Sequence, residues 1–326
     1  MFQTPFLTVK LDCMMKKMIF MLLLISNTIF AQSNVSIDTS YTVKSTYNKL
    51  IKKYPFIKIP QEQNSAFITE IKEVIYQQRK QRALHFDAFY YNKKKLNPAI
   101  IMIHGGGWRS GNKNQMHALA KELATKGYSC FAIEYRLSLE AKYPEGVHDV
   151  KNAIKFIKDN ARKFNVDPDK IAVLGCSSGG QMAALIGTTN ENAGFEEGSF
   201  KSRSTSKVNA IIDIDGVLAF KHPESSEGEM ASFWLGGSYE EKSENWKNAS
   251  ALSHADKNTP PTLFINSSFE RFHAGRNDMI EKLNKYKIYS KTETISDSPH
   301  TFWLFHPWFE KTVQYTINFL DEKLKS

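Results

Sequence analysis

Cysteine is scarce in this 326-residue chain: Cys13, Cys130 and Cys176 are the only three. So few cannot make a disulfide framework, and they leave no Cys pair at the spacing a metal needs. A His-Glu-x-x-His pattern is also missing, so no metal site is expected. The chain's glycine-rich loop lacks a Gly-Lys-Ser/Thr ending, which excludes a phosphate loop, and no cofactor is expected. Net charge is +9, yet the lysines are scattered and form no basic patch. That excludes a nucleic-acid face but leaves acidic polymers open as partners. Lys93-Lys94-Lys95 lies between two strand-like runs and is expected to be a solvated turn. Long hydrophobic runs are missing too. The run Met18 to Ile25 is too short to cross a bilayer. No internal repeat or low-complexity tract occurs.

What is present indicates a globular domain. Hydrophobic residues make up 41% of the chain, which is ordinary for a packed core. Lys16-Lys17 precede the apolar run, and Phe30-Ala31-Gln32 follow it. A basic stretch, a short apolar stretch and a small residue before a polar one predict a signal peptide over 1–31, removed on export, with no stable membrane insertion afterwards. A retained N-terminal anchor is the alternative. Residues 32–65, with Pro55 and Pro60 as breakers, are expected to form a short helix and linker.

From residue 66 onward the pattern predicts an α/β fold. The runs Phe67 to Tyr76 and Ala83 to Tyr91 read as antiparallel edge strands with one solvated face. Pro98 to Ile103, Ser129 to Tyr135, Ile171 to Leu174, Val208 to Ile214, Thr262 to Ile265 and Thr292 to Ile295 read as further strands. Helical patterns lie between or after them: Asn114 to Lys126, Val147 to Phe164, Arg276 to Tyr286 and Trp308 to Leu324. This alternation predicts a mainly parallel central sheet with helices on both faces. Residues 216–258 interrupt it between two strands. An insertion there is expected to sit lid-like over the carboxyl edge of the sheet.

The chemistry concentrates at three strand ends. Gly175-Cys176-Ser177-Ser178-Gly179 is a G-x-S-x-G motif between a strand and a helix. Such a nucleophile elbow needs small residues two before and two after the Ser, and it presents the central Ser177 rather than Cys176. His104-Gly105-Gly106-Gly107-Trp108 ends an earlier strand. The N–H of Gly106 or Gly107, with that of Ser178, would hold an oxyanion, while His104 braces the loop. His300, on a loop before the last helix, is positioned as the general base. The acid stays open: Glu270, after the strand at 262–265, is first choice, Asp278 second and Asp215 third.

Taken together these motifs resemble the α/β-hydrolase superfamily, in particular its H-G-G-G esterase branch, over residues 66 to 324. Glu134-Tyr135-Arg136-Leu137, Tyr143-Pro144 with Asp149, and Asp167-Pro168-Asp169-Lys170-Ile171 are similar to segments of that branch. The resemblance implies that Arg136 and Asp149 form a structural pair. Arg271-Phe272-His273-Ala274-Gly275-Arg276 and Pro299-His300-Thr301-Phe302-Trp303 look like those of secreted bacterial esterases acting on plant polysaccharides, of acetylxylan, pectin acetyl and feruloyl types. The implied partner is an acylated carbohydrate. The loop after 262–265 departs from the family by lacking Gly-x-x-Asp. Trp108, Trp234 and Trp303 are candidates to stack on sugar rings or, equally, to pack in the core. Alternative readings are an arylformamidase-like amidase, a small-molecule carboxylesterase, a peptidase and a catalytically inactive binding protein. Acyl group, polymer and oligomeric state are not legible in the sequence.

Overall fold

A computed structural model describes residue 38 and residues 40–325, apart from 64, 81, 93, 94 and 191. The signal peptide expected over 1–31 and the turn expected at Lys93-Lys94 lie outside the described residues. No helix among the described residues is long and apolar enough to cross a membrane.

Eight strands form one sheet in the order β1-β2-β4-β3-β5-β6-β7-β8. They are β1 (Ile68–Gln78), β2 (Ala83–Tyr91), β3 (Asn97–Ile103), β4 (Ser129–Ile133), β5 (Val166–Cys176), β6 (Ala210–Ile214), β7 (Thr262–Asn266) and β8 (Ser290–Thr294). Strand β2 runs antiparallel to both β1 and β4, and every pairing from β4 to β8 is parallel. β3, β4, β6 and β7 are buried along their whole length. Their unbroken apolar runs follow from cover on both faces.

Helices α1 (Val43–Leu50), α2 (His117–Thr125), α3 (Glu145–Asp159), α4 (Ser178–Thr188), α5 (Glu229–Leu235), α6 (Tyr239–Ala249), α7 (Arg276–Lys285) and α8 (Trp308–Leu320) complete the described α elements. The sheet separates two apolar layers. One packs Ile101, Phe131 and Val173 beneath Val147, Ile154 and Met182; the other packs Ile100, Cys130 and Leu174 beneath Leu119, Leu123 and Phe319.

One expectation about the sheet changes. β2 is not an edge strand with a solvated face, for it lies between β1 and β4, and both Asp87 and Phe89 are buried. α2 covers that second face: His117 Nε2 lies 2.8 Å from Asp87 Oδ2, and its ring meets Phe89 edge-on. Lys113 also donates to Asp87 at 3.0 Å. The alternation of polar and apolar residues in β2 thus reports a buried ion-pair network, not solvent. Despite the cost of burying it, hydrogen bonds from His117, the Glu73 amide and Lys113 hold the Asp87 carboxyl down at about 2.

Candidate active site

The site forms where β5 meets α4. Gly175 is small because a Cβ there would lie 1.9 Å from the Gly179 carbonyl oxygen, and a Cβ on Gly179 would lie 2.2 Å from that of Ile103. The chain therefore reverses tightly around Ser177, which adopts φ +55° and ψ −121°. A non-glycine residue holds that left-handed conformation only where its surroundings enforce it. Here the Ser177 N–H donates to the Ile214 carbonyl at 2.8 Å, and its carbonyl receives the Gln181 N–H at 3.0 Å.

Ser177 Oγ–H donates to His300 Nε2 at 2.8 Å, and His300 Nδ1–H donates to Asp215 Oδ2 at 2.8 Å. The tautomer follows from the chemistry, since an ionised carboxylate can only accept. The structure therefore brings Ser177 and His300 together with Asp215. Glu270, the first choice from sequence, is corrected: it is exposed at the start of a single 3-10 turn, Glu270–His273, and has no bond to His300. Asp278 is likewise excluded, being exposed and 3.1 Å from His222 Nε2.

Asp215 is fully buried and has a positive φ of +52° just beyond the end of β6. Its amide donates to the Ile265 carbonyl at 3.0 Å, and its Oδ1 accepts from the Ser267 N–H at 2.8 Å. The loop after β7, where the acid was expected, supplies a donor to the acid instead. Two residues earlier, Asp213 Oδ1 accepts from the Gly216 N–H at 2.9 Å, while its Oδ2 has no partner among the described residues. Burial first, and then the nearby Asp215 charge, raise the Asp213 carboxyl well above the usual range.

Phe272 was not assigned a role from sequence. Its ring lies parallel to the His300 imidazole with centroids 3.4 Å apart, and Trp303 meets the same imidazole edge-on at 5.4 Å. Flat stacking on one side and an edge on the other restrict rotation of the base. An aromatic residue beside a loop arginine gives no sequence signal for this, because the contact joins loops after β7 and β8.

The glycine loop passes beside the elbow, where a Cβ on Gly105 would lie 3.2 Å from Ser177 Cβ. Gly107 and Ser178 line the same cavity as Ser177. Gly106, also expected as a donor, does not line the cavity, and its carbonyl receives the N–H of Ser110 at 3.0 Å. The N–H groups of Gly106, Gly107 and Ser178 donate no hydrogen bond among the described residues. Unengaged amides, one at a helix start and two in a glycine loop, are suited to an anion. His104 braces this loop: Nδ1 lies 2.9 Å from the Gly105 carbonyl, and its ring stacks on Tyr135. Burial lowers its pKa to about 4, so it is a neutral ring. Burial also raises the Cys176 thiol well above its ordinary value, which keeps it protonated.

The cavity measures about 290 Å³, and Val217, Phe220 and Met230 line it along with Phe272. Much of its wall thus comes from residues 216–258. The three tryptophans are in the core: Trp234 and Trp303 are 2% exposed, and Trp108 is 8% exposed and stacked on Trp234 at 4.7 Å. The sugar-stacking option fails for Trp234 and Trp303, and Trp108 reaches the cavity only as part of its wall. Arg136 Nε donates to Asp149 Oδ2 at 2.8 Å, as a structural pair. No group of three or more His, Cys, Asp or Glu residues able to hold a metal occurs among the described residues.

A family model described as BD-FAE matches residues 87–271, more than half of the chain. Esterase LipC of Mycobacterium tuberculosis is 31% identical over 182 residues, covering 53% of this chain and 44% of LipC. An arylesterase of Saccharolobus solfataricus is 38% identical over 96 residues, 28% of this chain and 30% of the relative. This chain thus spans less than half the length of these relatives. Among solved structures, a truncated carbohydrate esterase from gut microbiota superposes with a TM-score of 0.66 at 22% identity, covering 82% of this chain and all of the other. Esterase 2 of Thermogutta terrifontis gives 0.66 at 22% identity over 80% of this chain and 96% of its own. Both share the fold described above.

Proposed function

The chain belongs to the BD-FAE family, with an α/β-hydrolase fold, and on that premise we propose that it is a serine esterase. The observation that carries this reading is the unbroken relay from Ser177 through His300 to Asp215 beside three unengaged amides. Ser177 Oγ attacks the ester carbonyl while His300 Nε2 takes its proton. The carbonyl oxygen becomes an oxyanion facing the N–H groups of Gly107 and Ser178, with Gly106 adjacent. Collapse breaks the ester C–O bond, and His300 returns the proton to the departing alcohol. Water then gives a proton to His300 and attacks the acyl-enzyme. In the second collapse the C–O bond to Ser177 breaks, His300 returns the proton to Ser177 Oγ, and the carboxylic acid leaves. Asp215 holds the imidazole in the tautomer that accepts at Nε2 and balances its charge when protonated.

The substrate we infer is an acetyl or similarly small acyl ester on a plant polysaccharide or oligosaccharide. The confined cavity of about 290 Å³ supports a small acyl group. The gut carbohydrate esterase sharing this fold supports a sugar as the alcohol. The leader expected over 1–31 supports export from the cytoplasm.

Hydrolysis of p-nitrophenyl acetate tests the reading. Ser177→Ala should lose several orders of magnitude in kcat. Asp215→Asn should lose on the order of 10³- to 10⁴-fold, as when a triad carboxylate is neutralised. Glu270→Gln should retain wild-type activity. Equal rates for Ser177→Ala and wild type would refute the esterase reading.

A further inference from the structure

A second groove adjoins the Ser177 cavity, and Met230 lines both. Its walls carry Arg109, Lys142, Glu229 and Phe233. Phe233 is 37% exposed. Lys142 Nζ lies 2.9 Å from its ring centroid and Arg109 Cζ 5.0 Å. Two cations are thus gathered around one aromatic ring. Arg109 forms an ion pair with Asp38 at 3.8 Å, whereas Lys142 has no ion pair among the described residues. Burial and then the Arg109 charge lower the Lys142 pKa, so the like charges are not relieved. Exposed Arg271 also lines the cavity and lies over the Phe272 ring at 4.3 Å, without an acidic partner among the described residues. The opposing charges nearby are Glu229 in the groove and Glu227 in the cavity. Glu227 accepts from the Ser225 hydroxyl at 2.6 Å and from the Lys221 N–H.

Lys142 in the groove and Arg271 at the cavity have no carboxylate partner among the described residues, and an anion would complete them, with Arg109, paired to Asp38, beside Lys142. The exposed part of Phe233 adds apolar surface beside them for a sugar to contact. We propose that the Arg109–Lys142–Phe233 groove binds a uronate unit of the substrate, next to the unit whose ester enters the Ser177 cavity. Arg271, in the lining of the Ser177 cavity, receives a second carboxylate. The substrate class is then an acylated polysaccharide containing uronic acids. This rests on the esterase reading above.

The test compares acetylated polygalacturonate with acetylated xylan, using the full chain. In the double variant Arg109→Gln with Lys142→Gln, the kcat/KM ratio of acidic to neutral polymer should fall about tenfold, the range of a charge-assisted hydrogen bond. The fall should lie in KM rather than kcat. Arg271→Gln should lower the same ratio. Independently of any variant, 0.5 M NaCl should raise the wild-type KM for the acidic polymer and leave that for xylan unmoved, because salt screens exposed charges. A wild type that serves both polymers alike, or a double variant that weakens both alike, overturns the proposal. Failure of the esterase reading looks different: wild type would then release no acetate from either polymer and would not cleave p-nitrophenyl acetate.

Discussion

Single residues in this protein carry charge states that their surroundings dictate. Asp213 and Asp215 are two residues apart and both buried, yet only Asp215 has a donor for each carboxylate oxygen. Asp215 meets His300, while burial and the Asp215 charge raise the Asp213 carboxyl above its usual range. His104 has a parallel consequence for stability. Its folded pKa of about 4 lies below the ordinary imidazole value of 6.5. The unfolded chain therefore binds the extra proton first as pH falls. Its contribution is complete above pH 6.5 and is lost as pH falls to about 4, a total on the order of 3 kcal/mol. Denaturant unfolding at pH 7 and pH 5 should show a smaller pH slope for His104→Asn than for wild type. An identical slope would mean that His104 is not held neutral. Sequence order separated His300 from the other histidines, because a triad base arrives last. It did not separate Asp215 from Glu270, since each follows a strand on the correct edge. The choice depends on which carboxylate points at an imidazole 85 residues away in sequence.

At the scale of elements, the elbow couples β5, α4 and the end of β3. Gly175 and Gly179 are required by contacts with backbone that cannot yield, at 1.9 and 2.2 Å. Gly198, by contrast, has open space where a Cβ would stand. Gly175→Ala should therefore abolish activity and lower Tm sharply, while Gly198→Ala should change neither. Activity and thermal melts of the two purified variants decide this, and an active Gly175→Ala enzyme would remove the steric account of the motif. Motif and flanking patterns were enough to place the elbow, because its constraints are local. The role of the loop after β7 was not legible. It supplies the Ser267 amide to Asp215 and Phe272 to His300, and both contacts cross between loops.

Over the whole molecule, a sheet covered on both faces holds three distant loops in one place. Phe86 sits in the aromatic cluster that joins the antiparallel strands to the parallel sheet, with ring centroids 5.5 Å from Phe131 and 5.4 Å from Phe164. Phe86→Ala should cost about 3–5 kcal/mol by loss of burial and cavity formation. At temperatures where the variant remains folded, it should keep near-normal kcat. Denaturant titration with a parallel assay checks both, and a kcat loss matching the stability loss would tie the cluster to the site. Apolar runs and helical spacing by themselves determined the α/β class and the strand sequence, and the G-x-S-x-G motif put Ser177 at a strand-to-helix turn, because burial and local turn sterics write directly into residue pattern. Tertiary structure alone decided that β2 is buried on both faces, that the tryptophans belong to the core and that Asp215 meets His300. Those outcomes depend on which side chains approach through space, and a distance across the sheet leaves no period in the chain.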